Sequence, residues 1–104
     1  MDSAEAERTV RELRAAGRLA EAARLVDQLG PYGVGDGPDM TTSLGAAVLE
    51  ALGDQLAATD PAAADAAYRD AADDQRGFAA AATSGGEGLA RMAVADKIEA
   101  KRQR

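Results

Sequence analysis

At 104 residues with a net charge of −6, no cysteine and no histidine, the chain has room for one domain and no thiolate or imidazole chemistry. Disulfides, thiolate metal sites and any catalytic triad built on Cys or His are therefore excluded. No apolar run approaches the 18 residues that suggest a transmembrane helix. The start, Met1-Asp2-Ser3-Ala4-Glu5, lacks the basic and then apolar character of a secretory signal, so no membrane is expected and the cytoplasm is the expected compartment.

The composition favours helices with thin seams. Alanine supplies 27 residues, whereas Leu, Ile, Val and Phe together supply only 16. Alanine enters a helix without losing side-chain entropy, but each one buries little surface. The expected fold is all-α, a bundle of four to five short, alanine-rich amphipathic helices forming a single domain over residues 1–104. Its shortage of large apolar side chains makes self-association, or docking on a partner, a natural remedy.

In chain order, Asp2 and Glu5 have capping-box spacing, and Ala6, Val10 and Leu13 step along one face behind them. The pattern resumes after Gly17 as Leu19, Ala22, Val26 and Leu29, and stops at Gly30-Pro31. Residues 3–29 thus form either a helical hairpin about Gly17 or one bent helix. The residues Leu13, Gly17, Arg18, Glu21-Ala22 and Val26 resemble the turn and second helix of a tetratricopeptide repeat, which implies a hairpin. The resemblance covers roughly 20 residues. Val10 stands where that family has a small residue, and no second copy follows.

Residues 30–41 hold four glycines and two prolines and predict an internal loop displaying Tyr32 and Met40. Thr41, Thr42 or Ser43 caps the next helix, on which Leu44, Val48, Leu52 and Leu56 recur at intervals of four. This is the most apolar seam of the chain and the expected centre of its core. Asp60-Pro61 opens a long helix to about Ala82, with Ala64, Tyr68, Ala71, Gln75, Phe78 and Ala82 facing inward. Ser84 and Glu87 form a further capping box. The last helix is expected to begin near Gly88 or Leu89 and to bury Ala90, Val94 and Ile98, with residues 99–104 frayed.

Candidate sites are sparse. The glycines at 33, 35 and 37 have neither the dinucleotide nor the P-loop spacing, and Asp36 and Asp39 would repel phosphate. Asp70, Asp73 and Asp74 form the densest acidic cluster; without histidine they predict a solvated helix face. No cofactor or metal is expected. Residues 36–96 carry eleven acids against three bases, while 97–104 carry four bases against one acid. Lys97, Lys101, Arg102 and Arg104 are thus the one place where nucleic-acid phosphates could be met. The expected function is a non-enzymatic helical protein–protein interaction module: a homodimeric adapter, assembly factor or small regulator. Leu44, Val48, Leu52 and Leu56, with Tyr32 and Met40, are its candidate contacts. Two alternatives are an accessory subunit touching nucleic acid through its basic tail and a small helical enzyme with a ligand cavity.

Overall fold

The computed structural model describes residues 2–29, 42–82 and 85–102. These form five helices, α1 (Ser3–Ala15), α2 (Leu19–Leu29), α3 (Leu44–Leu56), α4 (Pro61–Ala81) and α5 (Gly85–Lys101), with no strand among the described residues. The all-α bundle expected from the periodicity is the observed architecture. The expected loop over residues 30–41, with Tyr32 and Met40, lies outside the described residues, as do Ser84 and Arg104.

Local chemistry sets most of the helix ends. Asp2 accepts a hydrogen bond from the Glu5 N–H at 2.8 Å and caps α1. α1 closes through Gly17, whose φ of +77° is open to glycine at no steric cost. The Arg18 N–H donates back to the Leu13 carbonyl at 2.9 Å, so the chain reverses there. Residues 3–29 are therefore two helices and not one bent helix. Ser43 caps α3 by accepting from the Ala46 N–H at 3.1 Å, and Asp60 caps α4 in the same way ahead of Pro61.

α3 is the spine of the molecule. One side of it presents Leu44 and Val48 to a cluster completed by Val10 of α1 and by Ala22 and Val26 of α2. Another side carries Leu49 and Leu56 towards a second cluster of Ala64, Tyr68, Ala71 and Ala72 from α4 and Ile98 from α5. The expected single seam is thus divided between two small cores. α4 lies against both α3 and α5, and the α1–α2 hairpin joins the rest mainly through α2 against α3. The body measures 39 × 36 × 19 Å, about two helix diameters thick.

Two glycines in α3 let α4 approach closely. A Cβ on Gly53 would lie 2.5 Å from Cε1 of Tyr68, and one on Gly45 would lie 2.6 Å from Oδ2 of Asp74. Elsewhere the structure departs from expectation. α5 begins at Gly85, a turn earlier than the apolar pattern suggests, with Glu87 in its first turn, where the helix dipole favours an acid. Its buried residues are Arg91, Ala95 and Ile98, one residue round from the predicted Ala90 and Val94, which are half-buried. Arg91 turns inward because its guanidinium sits over the Phe78 ring, 5.3 Å from the centroid, and pairs with Glu87.

Candidate functional site

The side chains that could do chemistry converge where the end of α3, the start of α4 and the end of α5 meet. They line an open cleft of about 390 Å³ whose walls are Asp54, Ala57, Pro61, Ala64, Asp65, Tyr68, Lys101 and Arg102. The capped Asp60-Pro61 start of α4 places Asp65 and Tyr68 on successive turns above the cleft. Gly53 provides the seat for the Tyr68 ring. α5 then delivers Lys101 and Arg102 from its last turn.

Each charged group in the cleft has a partner within the chain. The Tyr68 hydroxyl donates to Oδ1 of Asp54 at 2.7 Å. Lys101 Nζ donates to the same carboxylate at 3.0 Å, pairs with Glu50 Oε2 at 2.9 Å and lies 5.6 Å from the centre of the Tyr68 ring. Arg102 forks onto Asp65 through Nε and Nη2 at 3.0 and 3.4 Å, and its Nη1 reaches Glu99 at 2.9 Å. The electrostatics follow. The hydrogen bond from Arg102 holds the Asp65 carboxyl below the usual carboxylate range. Burial, reinforced by the acceptor Asp54, pushes the Tyr68 hydroxyl up. Lys101 is raised on balance, because Glu50 and Asp54 outweigh the burial that acts against its charge.

This arrangement is a clasp. Two cations at the end of α5 are held by four carboxylates on α3, α4 and α5, which fixes the open end of the three-helix unit. Of the end expected to fray, Glu99, Lys101 and Arg102 take part in it, and residues 103–104 lie outside the described residues. α5 stays helical through Lys101, and the Arg102 N–H still donates to the Glu99 carbonyl at 3.1 Å. Lys97 is exposed.

The predicted interaction residues are dispersed. Leu44 is 1% exposed and Val48 is fully buried, so both belong to the chain's own core and cannot line an open face. Leu52 and Leu56 are half-buried, and Leu56 packs against the second cluster. The large apolar side chains exposed among the described residues are Leu89, at 76%, and Met92, at 38%, one turn apart on α5. With Arg91, Ala95 and Ile98 turned inward, they stand on the outer side of the helix.

The acidic cluster also divides. Asp70 and Asp73 are solvated, as expected, but Asp74 is half-buried against α3. No group of three or more acidic side chains among the described residues is arranged to hold a metal ion. No helix among them is long and apolar enough to cross a membrane. Comparison with known proteins returns no matching family model, no similar curated protein and no similar solved structure.

Proposed function

We propose that this chain is a non-enzymatic helical interaction module whose contact surface is the outer face of α5 and whose first partner is a second copy of itself. The observation that carries this reading is the exposure of Leu89 and Met92 in a protein with few large apolar side chains to spare. Exposed Gly85, Gly86 and Ala93 flank them on the same helix and would let a second helix approach closely. Pairing of two identical faces about a two-fold axis is the commonest solution for such a surface. The clasp argues against the nucleic-acid alternative, because Lys101 and Arg102 already neutralise carboxylates of the same chain.

Analytical ultracentrifugation from 1 to ~100 μM, a range that ends far above the nM-to-μM dissociation constants of ordinary specific pairs, tests the reading. The expected result is a dimer that Leu89→Asp converts to monomer without loss of helicity. Because each chain carries −6, added salt screens the repulsion between copies and strengthens the pair. A 10.6 kDa species that persists across the whole range overturns self-association. Binding of duplex DNA or RNA by the wild-type chain at moderate salt would restore the alternative.

A further inference from the structure

We propose that the junction of α2, α3 and α4 is a proton-operated latch, in which uptake of one proton by Asp74 tightens the seat of the α3 N-terminus on α4. Ser43 is the pivot. Its N–H donates to Oε1 of the buried Gln75 at 3.1 Å, its hydroxyl accepts from the Ala46 N–H at 3.1 Å, and that hydroxyl faces Oδ2 of Asp74 at 3.4 Å. A Cβ at Gly45 would lie 2.6 Å from Oδ2 of Asp74 and 3.2 Å from Cγ1 of Val26 on α2, so the carboxylate and Val26 crowd the same position of α3. Asp74 therefore stands where three helices meet, next to the residue that starts α3.

Its surroundings disfavour the charge. α3 presents Ser43 and Gly45, and α2 presents Val26, none of them ionisable. On α4 itself, Asp70 stands one turn away and repels it. Among the described residues, no arginine or lysine of α2, α3 or α5 pairs with Asp74. The N-terminus of α3 would attract an anion, but its Ser43 and Ala46 N–H groups are committed to Gln75 and Ser43. The hydrogen bond that reaches Asp74 is the long one from the Ser43 hydroxyl. Burial, with the repulsion from Asp70, outweighs that contact and raises the Asp74 carboxyl to about 6.

The direction of the response follows from this value. The folded chain holds the Asp74 proton more tightly than an unfolded chain, where the carboxyl titrates near 3.8. The resulting stabilisation is complete below the unfolded value and is lost as pH rises through about 6. The window is unusually clean because the chain has no histidine and no cysteine. No side chain with an ordinary pKa between 5 and 8 competes there.

Two measurements on the intact chain test the latch. First, the Asp74 carboxyl carbon is followed by nuclear magnetic resonance from pH 3 to 8. A midpoint near 6 supports the proposal, and one below about 5, closer to an unperturbed carboxylate, overturns it. Second, thermal unfolding is compared at pH 5.0 and 7.5. The wild type should melt several degrees higher at pH 5.0 (on the order of 5 °C), and the Ser43 and Ala46 amides should exchange more slowly there after correction for intrinsic rates. Asp74→Asn keeps the shape and removes the titration, so it should melt alike at both values and above the wild type at pH 7.5. A pH dependence that survives intact in Asp74→Asn would overturn the latch, because some other group would then be responsible. The wild-type titration decides the matter even if that variant fails to fold.

Discussion

Gly53→Ala is the sharpest probe of how the α3–α4 interface is built. The new Cβ would lie 2.5, 2.7 and 2.9 Å from Cε1, Cδ1 and Cζ of Tyr68, distances that real carbon atoms do not tolerate. The ring has little freedom to yield. It is buried, tethered to Asp54 through its hydroxyl and roofed by Lys101. Overpacking of this kind costs about 1–3 kcal/mol, and tilting the hydroxyl away from Asp54 adds about 1 kcal/mol. Against this, alanine is about 0.8–1.0 kcal/mol better than glycine inside a helix. The balance is a destabilisation of about 1–3 kcal/mol. In urea unfolding, with a slope of ~1.5 kcal/mol/M, the midpoint falls by about 0.7–2 M. Gly86→Ala, measured at a concentration where the chain is monomeric, is the matched control, since nothing in the chain lies within 4 Å of its Cβ position. It should be neutral or stabilising. In a Tyr68→Ala background the Gly53→Ala cost should disappear, because the obstructing ring is gone. A Gly53→Ala protein as stable as the wild type would refute the close approach of α3 and α4.

The remaining predictions can be checked with the same unfolding assay. Gly17→Ala should cost about 1–2 kcal/mol because its φ of +77° is hostile to a Cβ, with Gly17→Asn milder. Ile98→Ala should cost about 2–4 kcal/mol by leaving a cavity among Ala64, Tyr68 and Ala72. Leu89→Ala, measured at a concentration where the chain is monomeric, should change stability by less than about 0.5 kcal/mol, despite removing a comparable side chain from the same helix, because Leu89 is exposed in the single chain.

Much of the fold could be read from residue types with local effects. Asp60-Pro61 and Ser43 mark helix starts because a short oxygen-bearing side chain satisfies orphan N–H groups wherever it is placed. Gly17 marks the hairpin for a different local reason, its freedom to take a positive φ. The resemblance of Leu13 to Val26 to a repeat hairpin implied the reversal that the structure contains. Tertiary partnership was not legible. The interval of four along Leu44, Val48, Leu52 and Leu56 identifies a helix face, but it does not say that Leu44 and Val48 meet α1 and α2 while Leu56 meets α4. Arg91 is charged, so periodicity assigns it outward; its pairing with Glu87 one turn earlier fits an outward arginine equally well, and the Phe78 ring that it covers stands on α4, outside any pattern along α5. The basic tail reads as free cations until Glu50, Asp54 and Asp65 arrive from distant turns. Asp74 looks like its neighbours Asp70 and Asp73, and the absence of a side chain at Gly45, 29 positions earlier in the chain, is what makes it different.

The placement of α3 between two small clusters has a consequence for how the molecule comes apart. α4 and α5 enclose one cluster with α3, while among the described residues the other is closed by the N-terminal hairpin. Opening can therefore proceed in two tiers, with the hairpin detaching before the three-helix remainder melts. Amide protection should then be graded, lowest in α1 and highest where α3, α4 and α5 meet. The partly opened form would uncover Leu44 and Val48, the most adhesive stripe in the sequence. Under strain, this chain would thus become sticky before it becomes unfolded.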